Sequence, residues 1–294
     1  MKKSFSILLL LSFLSSGFNY RAQSGDPVIV EKEPKKVRFG LKGFSSIGWL
    51  TPENELSLTR GKIGIGFGWG LNTELYINNT TSFRTGFSLS TYNAGIIYND
   101  VDKIEMDGFQ NTYYVVDNAE FQQWEDTIPE GRMYKLNSRK YKLSYVNIPL
   151  ILKLKTKEIG YMTYFGEFGG IIGLKTKANV EDTHIKVVPN TSSNGELLFP
   201  TDGPETKPTN DFNFNDVSQP VRAGLCLGAG AEYNFSGSTA IFFQLNWNYF
   251  MTSMLKKQEK DDYLRSYDID NKSFQSVNSK SVPGSFHLTV GILF

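Results

Sequence analysis

Apolar residues fall on alternate positions through eight stretches of this 294-residue chain. That is the period a β-strand imposes, because successive side chains leave opposite faces. The stretch at about 61–77 is the cleanest: Ile63, Ile65, Phe67, Trp69, Leu71, Leu75 and Ile77 take the odd positions, while Gly64, Gly66, Gly68, Gly70, Asn72, Glu74 and Tyr76 take the even ones. The polar face of a soluble sandwich strand is seldom a row of glycines. Such a row predicts a narrow interior in which large side chains from across the lumen need room. The same alternation predicts strands at about 36–50, 81–98, 141–156, 161–175, 221–235 and 239–254, and a last one that ends at Phe294. Within 141–156, Val146, Ile148, Leu150, Leu152 and Leu154 share one side and Tyr141, Leu143 and Tyr145 the other, which predicts a bulge at Pro149 or before it.

The last strand carries Phe286, Leu288, Val290, Ile292 and Phe294 on one greasy face. A strand needs partners on both edges, and the terminal strand of a closed barrel has them because it pairs with the first. The connections support closure. Asn78-Asn79-Thr80, Lys157-Glu158-Ile159-Gly160 and Ser236-Gly237-Ser238 are tight turns, and they alternate with longer polar segments, among them 99–140, 176–220 and 255–282. This asymmetry predicts an all-β fold, an eight-stranded antiparallel transmembrane β-barrel of the outer membrane with short periplasmic turns and long extracellular loops.

Lys2 and Lys3 precede an apolar run from Phe5 to Phe18 that ends near Ala22-Gln23. The run is far shorter than the roughly 20 residues of a membrane helix, so residues 1–22 are expected to be a cleaved signal peptide. Residues 23–35, charged and holding Pro27 and Pro34, are expected to be a periplasmic leader, and 36–294 the barrel. With 22 Phe, 15 Tyr and 27 Gly the chain is heavy in residues of β structure, yet its mean hydropathy is only −0.30. A barrel reconciles the two, since half of each strand faces a polar lumen. The balance of 31 basic against 30 acidic residues speaks against a nucleic-acid partner. Cys226, the one cysteine in the chain, excludes an intramolecular disulfide and is expected to be a small buried residue.

Tyr145-Val146-Asn147-Ile148-Pro149-Leu150-Ile151-Leu152-Lys153 resembles the Val/Leu-x-Ile-Pro-Leu-x-Leu-Lys element of the PorT-type outer-membrane β-barrel family of Gram-negative bacteria, although Asn147 stands where an acidic residue is common. The Ala22-Gln23 junction and the terminal Phe294 fit the resemblance, and the strand pattern extends it over about 36–294. The alternating strand that ends on Phe294 resembles the signal read by the barrel assembly machinery of such bacteria. The resemblance implies an eight-stranded barrel; one class of the family is a type IX secretion accessory protein.

Assigning the inner faces places Arg38, Lys42, Glu74, Arg84, Lys153, Glu167, Arg222 and Glu232 in the lumen. Arg or Lys at mid-membrane on the lipid face would cost roughly 2–4 kcal/mol, so their shared parity supports the register. These five cations and three anions are expected to pair and plug the lumen rather than line an ion path. Catalysis finds little support: His184 falls in the 176–220 segment, and His287 lies on the inner face of the last strand beside no sequence-local nucleophile. Asp100 with Asp102, Asp261 with Asp262, and Asp268 with Asp270 lack the spacing of an EF-hand, and no phosphate loop, dinucleotide fingerprint or zinc spacing is present. No cofactor is expected.

The long polar segments carry apolar residues that a solvated loop does not need: Phe109, Tyr113, Tyr114, Phe121 and Trp124 in one, Leu197, Leu198 and Phe199 in the other. They are expected either to pack on the barrel mouth or to bind a partner. The functional expectation is a non-enzymatic accessory or docking barrel of envelope assembly or protein secretion, in contact with outer-membrane lipid and an envelope protein partner. A surface-adhesion or envelope-integrity barrel is the alternative, and a lipid-modifying enzyme the third reading.

Overall fold

The computed structural model describes residues 36–53, 58–98, 112–116, 132–189, 198–200, 205–209, 218–236, 239–256, 264–268, 273–277 and 280–294. The expected signal peptide and leader, together with Phe109, Phe121 and Trp124, lie outside these residues, as do Leu197, Asp100, Asp102, Asp261, Asp262 and Asp270.

Among the described residues thirteen strands follow in chain order: β1 (Val37–Pro52), β2 (Leu58–Tyr76), β3 (Thr81–Tyr98), β4 (Thr112–Val116), β5 (Arg132–Lys155), β6 (Met162–Pro189), β7 (Leu198–Pro200), β8 (Glu205–Thr209), β9 (Val221–Ser236), β10 (Thr239–Phe250), β11 (Arg265–Asp268), β12 (Ser273–Ser276) and β13 (Ser281–Leu293). Eight of them close a ring of antiparallel pairs in the order β1, β2, β3, β5, β6, β9, β10, β13 and back to β1. The seam is sealed to its end, where Phe294 N donates to Phe39 O at 2.9 Å and Phe39 N to Phe294 O at 3.1 Å. No strand of the ring therefore keeps an open edge.

Both ends of the ring chain and the turns after β2, β5 and β9 share one end of the barrel. The first turn is tied by Ile77 N to Thr81 O at 2.9 Å and by the Asn78 side chain accepting from Thr80 N at 2.9 Å. Gly160, with φ of 67°, supplies the left-handed residue of the second. The alternating apolar residues point away from the ring. Phe67 is 66% exposed, Leu227 49% and Leu245 55%, and the terminal set Phe286, Leu288, Val290, Ile292 and Phe294 is exposed with them.

At four of the inward glycines the neighbour that needs the room differs from the one the sequence suggested. Gly68 is the register partner of Phe44 on the adjacent β1, and a Cβ there would lie 2.7 Å from Cε2 of that ring. Likewise a Cβ on Gly230 would lie 2.5 Å from Cζ of Phe165, its partner on β6. Phe242 faces Gly291 and Phe250 faces Gly224 in the same way. At these four the room is taken by the aromatic directly across the strand pair, not by one from the far wall, whereas a Cβ on Gly64, Gly66 or Gly70 would meet the backbone of β3.

At the end away from the turns, two strands run further than alternation suggested. The fourth ring strand begins at Arg132 rather than about 141, and the fifth continues to Pro189 rather than about 175. The seventh stops at Phe250, short of the expected 254. β4 pairs with the extended β5, β11 with β4, and β12 with β11, while β7 and β8 pair with β6. Much of the two segments expected to be loops is thus strand, and Tyr113, Tyr114, Leu198 and Phe199 lie in ladders.

The expected bulge lies before Pro149 but belongs to the partner strand. Tyr145 pairs with Lys175 and Ser144 with Lys177, leaving Thr176 of β6 as the extra residue. On β6 the inward residues are odd up to Ile171 and Gly173, then even from Ala178 through Val180 to Asp182. On β5 Tyr141, Leu143, Tyr145 and Asn147 all stay inward.

Candidate functional site

The lumen is the densest assembly of functional groups among the described residues, and it is arranged in layers. Nearest the turns, Glu232 takes Arg38 at 3.0 Å and Lys155 at 3.1 Å, and it also pairs with Lys153. Glu74 takes Lys155 at 2.7 Å and Lys153 at 3.4 Å, and accepts from Ser82 Oγ at 2.6 Å. Tyr76 adds its hydroxyl to Arg38 at 3.0 Å and Lys155 at 2.8 Å. Three cations therefore share two carboxylates from four strands, and the arrangement closes this end of the barrel with ion pairs.

In the next layer Arg84 meets Glu167 at 2.5 Å and donates to Gln244 Oε1 at 2.7 Å. Gln244 and Asn246 also donate to Glu167, and Asn246 reaches the buried thiol of Cys226 at 3.5 Å. Above it, Arg222 lies 3.6 Å from the Tyr145 ring centroid and 4.0 Å from that of Phe250, and donates to Asn147 Oδ1 at 3.1 Å. Asn147 in turn donates to Ser90 Oγ at 2.8 Å. Tyr92 hangs its hydroxyl on the carbonyls of Trp49 and Gly284, tying β1 to β13 at that height. Over these sits a buried apolar cluster that includes Leu50, Ile96, Leu136, Tyr141, Leu143, Val180, Met254 and Leu264.

All eight lumen charges named from the sequence face inward. Seven are buried, and Lys42, partly exposed, lines the mid-lumen cavity. Lys155 is the cation that reading missed, although its parity with Lys153 announces it. Asn147, Gln244 and Asn246 are the polar residues it left without a role.

Two histidine assignments change. His184 sits in strand β6, not in a loop, with Tyr134 edge-on at 4.6 Å. His287 does have a local nucleophile: Ser285, two residues back on the same face, places its Oγ 3.1 Å from Nε2, and Phe44 stacks on the ring at 4.9 Å. The described residues hold no group of three or more His, Cys, Asp and Glu side chains able to bind a metal. Asp268 falls in β11.

A closed ring with an apolar outer face, a polar ion-paired interior and the free ends of its first and last strands beside the short turns is the architecture of an outer-membrane β-barrel. The chain belongs to the outer membrane protein beta-barrel domain family, whose model matches residues 21–256. Its place is the outer membrane, with the short turns on the periplasmic side and the extended strands outside the cell. Among solved structures it is similar to OprG of Pseudomonas aeruginosa (9% identity, 87% of this chain and 94% of that one, TM-score 0.41). It is also similar to Neisserial surface protein A (10%, 87% and 95%, 0.36) and to Ail, the attachment invasion locus protein of Yersinia pestis (10%, 88% and 100%, 0.30). No curated protein matches the chain.

Proposed function

We propose that this barrel is a non-enzymatic docking or accessory protein of envelope assembly or protein secretion, working through the sheet it raises outside the cell. The observation that supports this reading is the extension of β5 and β6 beyond the ring, where β4, β7, β8, β11 and β12 join them. A barrel that only filled a hole in the membrane would not need ordered strands there. Arg139 and Asp182, buried and paired in this extension, hold the two long strands in register. The Ile148-Pro149-Leu150 element supports a PorT-type, type IX-like assignment within the family. The partners of this reading are outer-membrane lipid, the barrel assembly machinery and an envelope or secretion protein.

The test is to replace residues 99–131 with a Gly-Ser turn. The cut removes β4, on which β11 and β12 lean, and stops short of Arg132, where β5 starts. The variant is expected to insert with heat-modifiable migration and to fail to restore secretion or envelope integrity in a null strain. Full complementation by an inserted variant would overturn the proposal.

The Ser285–His287 contact favours a lipid-modifying enzyme as a second reading. It is weaker because no carboxylate orients the imidazole among the described residues and Phe44 covers it. A Ser285→Ala strain with altered lipid A or phospholipid profiles would favour it.

A further inference from the structure

Cations outnumber carboxylates in the ring interior: Arg38, Lys42, Arg84, Lys153, Lys155 and Arg222 stand against Glu74, Glu167 and Glu232. The surplus is localised. Arg38, Lys153 and Lys155 share Glu74 and Glu232, and Arg84 holds Glu167. Among the described residues Lys42 and Arg222 have no carboxylate partner, and Nε and Nη1 of Arg222 make no hydrogen bond.

Lys42 and Arg84 border a mid-lumen cavity of about 40 Å³. Its wall also includes Asn147, Asn248, His287 and Thr289, and no Asp or Glu. Arg222 stands behind Asn147, adding to the positive potential. The ion-paired layer lies below the chamber and the apolar cluster above it. The Lys42 ammonium, partly exposed inside the lumen, faces no carboxylate on this wall, and a positive charge in a confined space favours a counter-charge. The volume leaves room for a small anion beside the ammonium.

We infer that the chamber is a binding site for a small inorganic anion such as chloride, held by the Lys42 ammonium and the neighbouring amide and hydroxyl donors. The anion offsets the Lys42 charge, one of those the three glutamates leave over, and it ties β1 to the strands that carry Asn147, Asn248 and Thr289.

The experiment uses the full barrel refolded in detergent, with thermal unfolding followed at constant ionic strength as chloride or bromide replaces gluconate, an anion too large for the chamber. Wild type is expected to unfold at a higher temperature in halide, and Lys42→Met is expected to lose that increment. Bromide-soaked crystals of wild type, which do not depend on any variant folding, are expected to show an anomalous peak beside Lys42 Nζ. A wild-type midpoint indifferent to halide, an increment that survives in Lys42→Met, or crystals with no peak in the chamber would each overturn the inference. They would leave a water-filled chamber or a surface salt effect.

Discussion

Arg139 and Asp182 face each other in the β5–β6 register, and the guanidinium makes two 2.6 Å bonds to the carboxylate, with both side chains wholly shielded from solvent. Breaking a buried pair by removing one charge typically costs about 3–5 kcal/mol, because the other is left uncompensated. This pair lies above the membrane ring, so the cost should be local. Asp182→Asn is expected to speed amide exchange at 132–142 and 178–189 and to expose this region to protease. Heat-modifiable migration of the ring should persist. Equal protection in both proteins would show that the ladder alone holds the extension.

Glu232 is the hub of the periplasmic layer, since Arg38, Lys153 and Lys155 all reach it. Glu232→Gln leaves three cations with Glu74 as their acid, and a loss of about 3–5 kcal/mol is expected in denaturant unfolding. Adding Lys153→Met, which removes one of the stranded charges, is expected to recover part of it. A double variant no better than the single one would mean that the layer is stabilised by something other than charge balance.

Parity can be read with single cysteines in a Cys226→Ser background. Phe67, Leu227 and Leu245 are expected to react with lipid-phase probes, and Ser88 and Thr289 to be silent toward them, because a one-residue slip would move every side chain across the sheet. Serine and threonine positions serve better than the inward glycines, whose added Cβ would meet cross-strand rings and carbonyls. Swapped labelling would refute the register.

Phe294 closes the seam through two backbone bonds to Phe39 and points its ring outward. Its deletion is expected to lower the inserted fraction while the exported, uninserted chain accumulates in the periplasm. Insertion at wild-type levels would place the recognition element elsewhere in β13.

The ring was legible because alternation is a local property. Phe67 beside Gly66 or Leu245 beside Gln244 states inside and outside without reference to any other strand. Which charge meets which was not legible: Arg38 and Glu232 are 194 residues apart, and only closure brings them together. The extension above the ring was misread because two inserted residues, Thr176 on β6 and Asn137 on β5, interrupt its alternation. Polar positions such as Arg139 and Asp182 then looked like solvated loop. The Ser285–His287 contact was missed although the two residues share a face two positions apart. There the signal was present in the sequence, since positions two apart on one strand face always lie side by side.

The insertion at Thr176 lets one continuous strand work in two media. Below it, odd-numbered side chains of β6 fill a pore and even-numbered ones meet hydrocarbon; above it the assignments trade places, so Ala178 and Val180 are buried while Lys177 and Asn179 are left to water. Without the extra residue, the parity that puts Phe168 and Ile172 in lipid would turn Ala178 and Val180 outward into water. A single backbone irregularity thus decides which parity of this wall is buried on either side of Thr176, and sliding it along the strand would move the point at which the two faces trade places.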